Sequence, residues 1–480
     1  MKTHNRQGFS SRRETEPFSS DHQKTLDEAP WEIGNTLQKR QSDIESWILA
    51  QWKKIRVNSM SPPRTPFYTS VDLRNAGFKL VPVDTNLFPS GFNNLCPSCL
   101  PGCACAASTA IRRTMPTAQR LLLIPENHTR NLNYLESVAS LADILINAGF
   151  EVRIGSLLPN LQDPITVDLP SRKSIRLEPI TRRGYDITVA DFSPCVILLN
   201  NDLAGGRPAI LEECKPVVIP PLDLGWRNRL KSDHFIQYGQ VATEFADHLG
   251  FDPWLINPLF QNCGEIDFMR REGEKCLAKN VGELLDQIRR KYREYGINKQ
   301  PFVFIKADAG TYGMGVMPVY KAEDIYTLNR RQRTRMSSAK GGRSVTKVIL
   351  QEGVHSCETW GDASPATAEP VVYLIDRTVV GGFYRVHAER GETENLNARG
   401  MRFESMPFFA PACRIPNTTV PTETQSNRFY AYGVVARLAL LAAAREMLEV
   451  GTKTWRSRAA NKTTEIGRVH GNQDHVHGNH

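Results

Sequence analysis

Two stretches predict that this chain folds as an α/β protein. In the first, Leu121–Ile124 is apolar, 125–131 is a polar loop, 132–148 repeats apolar residues at helical spacing, and Phe150–Ile154 reads as the next strand. Gly149 stops the helix. Strand, helix and strand in this order make a βαβ unit, which implies a parallel sheet with a right-handed crossover. The second stretch is PFVFIKADAGTYGMGVMPVY, Pro301 to Tyr320. Phe302–Ile305 reads as a buried strand, Gly310, Gly313 and Gly315 lie in a loop, and Val316–Tyr320 returns as a strand. Glycines let backbone N–H groups approach an anion closely, and Lys306 in front of the loop supplies a point charge. A Walker loop or a dinucleotide fingerprint would open a helix instead. An ordinary glycine-rich hairpin has the same outline. The lysine, Asp308 and the glycines falling together favour a phosphate-binding flap.

Length sets the scale: 480 residues suggest about two or three domains with sizeable cores. Hydrophobic residues make up 40% and charged residues 23%, a globular balance. The net charge of +9 suits an anionic ligand, yet the basic residues are spread along the chain. Their one dense cluster, Arg330, Arg331, Arg333, Arg335 and Lys340, reads as a solvated loop, and no nucleic-acid recognition module surrounds it. No apolar run reaches 18 residues, so no membrane helix is expected. The absence of a signal-type apolar region points to the cytoplasm. Cys96, Cys99, Cys103 and Cys105 crowd into CPSCLPGCAC, too tightly for the two separated pairs of a four-cysteine zinc site, so an irregular reduced loop is expected.

In chain order, residues 1–28 are polar and read as a disordered leader. Residues 31–56 carry apolar residues at helical spacing, and a Pro-rich break follows. Residues 29–225 then form one α/β domain, with short strands at Tyr68–Leu73 and Phe78–Val83. The loop-rich stretch Phe67–Leu95 around them holds Asp72, Arg74, Asp84 and Asn86, a mix that can grip a zwitterion: arginine forks a carboxylate, acids and amides take an ammonium. Turn chemistry explains the same residues equally well. Residues 226–450 form the second domain, from a helix starting at Ser232 or Asp233 to a buried helix at Tyr430–Leu448. Strands at Lys347–Leu350, Pro370–Ile375 and Val379–Val386 lie between. Residues 451–480 form a polar, histidine-containing tail, read as disordered.

The phrases VDTNLFPSGFNNL, KSDHF, KADAGTYGMGV, QEGV, GGFYRVH and NLNARGMRFE, in this order, resemble the bacterial ATP-grasp-like group of glutamate–cysteine ligases. The resemblance runs from Phe67 to Met447 and fades over the cysteine-rich stretch. It implies an ATP-grasp-like fold behind an N-terminal substrate domain, and ATP-driven joining of the glutamate γ-carboxylate to cysteine. It further implies that Lys231 and Lys306 hold the α- and β-phosphates of ATP, that the flap Asp308–Gly315 covers the γ-phosphate, and that Glu352 and Val354 meet the adenosine. Arg385 would face the transferring phosphoryl group, and Glu369, Asn395 and Asn397 would hold Mg2+. The Glu-x-Asn pair common in ATP-grasp enzymes is missing: the corresponding place reads Leu448-Glu449-Val450-Gly451. Another carboxylate–amine ligase, such as glutathione synthetase, or a non-catalytic nucleotide- or RNA-binding protein, is the alternative expectation.

Overall fold

The computed structural model describes residues 32–57, 65–127, 130–226, 229–309, 315–338, 344–361, 364–406 and 428–471. The 1–28 leader, Gly310 and Gly313 lie outside them. Three sheets carry the fold. The first runs β18 (Arg402–Ser405), β17 (Thr378–His387), β16 (Ala366–Ile375), β1 (Tyr68–Asn75) and β2 (Leu80–Asn86), with β15 (Thr359–Trp360) beside β16. All its pairings are antiparallel. The second runs β10 (Val217–Ile219), β9 (Val196–Asn200), β3 (Arg120–Pro125), β4 (Glu151–Ser156), β6 (Ser174–Pro179) and β5 (Ile165–Asp168). It is parallel except at the β5 edge, as the βαβ pattern requires. The third is antiparallel: β11 (Phe260–Glu265), β14 (Lys347–Glu352), β12 (Val303–Ala307) and β13 (Val316–Val319). A small hairpin pairs β7 (Thr181–Arg183) with β8 (Asp186–Thr188).

The first sheet is apolar on both faces. Val71, Leu73, Val372, Leu374, Tyr384 and Val386 point into one core, shared with α1 (Glu32–Lys39), α2 (Gln41–Val57), α5 (Lys231–Leu249) and α8 (Arg428–Gly471). The alternate residues Tyr68, Val371, Tyr373, Ile375 and Phe383 point into a second core, under α3 (Leu100–Thr114) and α4 (Leu132–Asn147). A sheet covered on both sides cannot show the apolar–polar alternation of a half-exposed strand. The third sheet packs on α6 (Glu274–Glu294), whose Leu277, Val281, Leu284, Leu285 and Ile288 make one apolar stripe, and α7 (Arg330–Ser337) adds Met336 to that core.

The strand pairing crosses the division expected near residue 225. β1 and β2 belong with β16–β18, because their partners are supplied by residues 366–405. A second difference concerns the cysteine stretch. It is a helix, not an irregular loop: Cys103, Ala104, Ala106, Ala107, Ala110 and Ile111 of α3 are buried. Small side chains let this helix lie close on β16 and β17, where Cys103 Sγ meets the Val380 carbonyl. The last helix also continues past Gly451, with helical backbone to Gly471.

Candidate active site

The period-2 geometry of the first sheet places its charges. On one face, β1 offers Tyr68, Ser70, Asp72 and Arg74, and β16 offers Ile375, Tyr373, Val371 and Glu369. Arg385 of β17 stands directly across from Glu369 in register. One end of this face is apolar and covered by α3 and α4; the other end is charged. There Arg385 Nη1 donates to Asp72 Oδ2 at 3.0 Å and to Glu369 Oε1. Arg74 Nε donates to Glu369 Oε2 at 2.9 Å, while its Nη1 and Nη2 donate to the carbonyls of Glu392 and Glu394. Arg74 therefore ties Glu369 to the loop carrying Asn395 and Asn397. Its three engaged nitrogens leave it less open to a substrate carboxylate than the sequence suggested. Asn395 Oδ1 accepts the Asn397 backbone N–H, closing a local turn.

Two lysines complete the cluster. β12 delivers Lys306 to the meeting of the first and third sheets, where Nζ donates to the Val83 carbonyl at 2.8 Å and to Gln351 Oε1 at 2.5 Å. An ammonium has three donors. Lys306 uses two on neutral acceptors, and the third has no partner among the described residues. Lys231, at the start of α5, donates to Asp84 Oδ1 at 2.6 Å and stands 4.5 Å from the centre of the Trp226 ring. Asp308 anchors this helix start: its carboxylate accepts the Ser232 N–H at 2.8 Å and the Ser232 hydroxyl at 2.9 Å. A carboxylate at a helix N-terminus satisfies N–H groups that the helix leaves unpaired.

Burial and charge set the protonation states. Burial pushes Lys306 down to about 8, with Asp84 opposing and Lys231 reinforcing the shift. Burial would raise Asp84, but Lys231 and then Lys306 hold its carboxyl below the ordinary range. Asp72 lies above that range because burial outweighs the Arg385 guanidinium. Glu369 is held low, since Arg74 and Arg385 overcome its burial. Four cations thus face three carboxylates, and the donors still open point to a further anion. Arg385 Nε is buried without a partner among the described residues, and Lys306 keeps a spare donor.

Other residues singled out by sequence have different surroundings. Glu352 is turned inward, where Lys79 Nζ donates to it at 2.7 Å and Trp254 Nε1 and the Leu259 N–H also reach it. Val354 fills a small apolar cluster with Ala76 and Val81. Asn86 Oδ1 accepts from the Phe88 N–H and from Trp226 Nε1. Gly315 has φ of +63°, a left-handed conformation that suits glycine, and its carbonyl accepts the Ala307 N–H. Glu449, in the place of the missing Glu-x-Asn pair, accepts a bond from Gln237 of α5. Sequence reasoning missed Lys79, Gln351, Arg229 and Glu446. Of these, only Gln351 carried a signal, as the residue before Glu352 on a strand next to that of Lys306.

A cationic cluster between two antiparallel sheets, with open donors and hard oxygen groups beside them, suits a bound anion, and similarity to known proteins gives the class: an ATP-dependent carboxylate–amine ligase of α/β architecture. The family model for glutamate-cysteine ligase, GshA, matches residues 34–447. The chain belongs to that family. It is 49% identical to a protein of Methylobacillus flagellatus KT assigned as a gamma-glutamylcysteine synthetase, with 88% of this chain and 97% of that one covered and a TM-score of 0.78. A glutathione synthetase-like effector of Globodera pallida (9% identity, 76% and 80% covered, TM-score 0.32) is a far more distant match. So is a D-alanyl-alanine synthetase A of Vibrio cholerae O1 biovar eltor (11% identity, 60% and 75% covered, TM-score 0.27). Comparison with curated proteins returned no match.

Proposed function

We propose that this charged cluster is where the ligase moves a phosphoryl group from ATP onto the γ-carboxylate of glutamate, before the cysteine amine displaces phosphate. A carboxylate cannot acylate an amine at a useful rate, because its leaving group would be oxide. Phosphorylation supplies a better one. Lys306 and Lys231 neutralise the α- and β-phosphates, and Arg385 offers its unpaired Nε to the oxygens that gain charge during transfer. The open donors of Lys306 and Arg385 are the observation that carries this reading.

The donor set fits Mg2+, which prefers hard oxygen ligands. Glu369 would hold it, with Asn395 and Asn397 on the loop that Arg74 ties to Glu369. Both Glu369 oxygens already accept from arginines, but each has a second lone pair. The ion would offset phosphate charge that a largely self-paired cluster cannot. Asp72 and Asp84 offer carboxylates to substrate ammonium groups. No helix among the described residues is long and apolar enough to cross a membrane. We place the enzyme in the cytoplasm, where ATP and reduced cysteine are available.

The test is release of ADP by purified protein with the amino acids supplied singly and together. Release that requires glutamate and cysteine, and yields γ-glutamylcysteine, is expected. Turnover of γ-glutamylcysteine with glycine instead would contradict the proposal.

A further inference from the structure

Behind the Lys231–Asp84 pair lies a buried network that the phosphate chemistry does not use. Arg229, two residues before Lys231, forks Glu446 of α8: Nε to Oε1 at 2.7 Å and Nη2 to Oε2 at 3.0 Å. Its Nη1 donates to the carbonyl of Thr85, the residue after Asp84, at 2.6 Å. Its guanidinium stands 4.8 Å from the centre of the same Trp226 ring that Lys231 faces. The Arg229 and Glu446 side chains are 2% and 5% exposed. His234 Nδ1, 3.3 Å from Glu446 Oε2, closes the network on the α5 side.

We propose that Arg229 and Glu446 are positioning residues that fix the geometry of the Lys231–Asp84 pair for the nucleotide phosphates; this rests on the reading of Lys231 as a phosphate ligand. The two halves of that pair come from distant chain segments, β2 and the start of α5. Each is tied, one or two residues away, to the same guanidinium. That guanidinium is in turn held by Glu446 of α8, a helix from the far end of the chain. A buried ion pair adds little net stability, since desolvation offsets most of its attraction. A planar fork does fix direction, because the two N–H groups and the two oxygens must be coplanar. With Arg229 held, the Thr85 carbonyl and the Trp226 ring are fixed, and with them the space in which the Lys231 ammonium moves. An ammonium at position 229 keeps the charge and loses the fork.

The experiment is calorimetric binding of magnesium-ATP without amino acids, run well below the melting temperature of every variant. Lys231→Ala is expected to weaken binding about tenfold or more. Arg229→Lys and Glu446→Gln are each expected to weaken it by a similar factor. Combining Lys231→Ala with Arg229→Lys should add little, because both remove one function. A merely structural role would lower the melting temperature and leave the dissociation constant unchanged. That result, or losses that multiply in the double variant, overturns the positioning role while Lys231 stays a phosphate ligand. Unchanged binding by Lys231→Ala overturns the phosphate reading and the clamp with it. Should Arg229→Lys fail to fold, Glu446→Gln, near in shape, decides alone.

Discussion

In the proposed reaction Lys306 is the residue on which the phosphate chemistry turns, and its environment gives it a measurable signature. Burial pushes its ammonium down to about 8, so above that pH the free protein holds it partly neutral. A bound polyphosphate favours the charged form and raises that pKa. Binding of magnesium-ATP should therefore take up a proton above about pH 8, and affinity should fall as pH rises. Calorimetry in two buffers of different ionisation heat reads this uptake. Lys79, also pushed down to about 8 by burial, lies apart in its pair with Glu352. The uptake should thus vanish in Lys306→Met and persist in a Lys79 variant that folds; uptake unchanged in Lys306→Met would remove Lys306 from the phosphate site. The sequence showed Lys306 clearly, because a lysine before a glycine loop is a local pattern. It could not show that Arg74 is spent on Glu369 and two carbonyls, since those partners lie some three hundred residues away.

At the scale of elements, β14 and the turn after it join the site to the core. Gly353 lies against the Phe302 ring: a Cβ there would come within 2.2 Å of Phe302 Cδ2. That ring is fully buried among Phe304, Tyr320 and His355 and cannot move aside easily. Gly353→Ala should cost about 1–3 kcal/mol, read from urea unfolding. The Lys79–Glu352 pair, with both side chains almost wholly buried, staples the β1–β2 turn to the end of β14. Lys79→Met leaves a buried carboxylate without its cation and should cost about 3–5 kcal/mol; adding Glu352→Gln should recover part of it. An additive double variant would show that the pair is not coupled. Most strands and helices were legible as apolar runs and spacings. The cysteine stretch was not, because the alanines and cysteines of α3 carry no strong amphipathic pattern until the sheet they lie against is known.

Across the whole molecule, the proposed active centre is assembled from parts of the chain that sequence order keeps apart. β1 and β2 sit beside β16–β18, so Asp72 meets Arg385, with Asp84 across from Asp72 in register, although both were read as part of a separate domain. Strand pairing over such distances leaves no local mark, which is why the division near residue 225 looked natural. The glutamate–cysteine reading came from phrases in order along the chain, and the family match over residues 34–447 supports it against the other ligases. Its chemistry predicts where an oxygen atom goes. With glutamate labelled by oxygen-18 on the γ-carboxylate, turnover with ATP and cysteine should place one labelled oxygen in each phosphate released, read by mass spectrometry. Unlabelled phosphate, with peptide still formed, would mean that the carboxylate is never phosphorylated and that the cationic cluster serves another purpose.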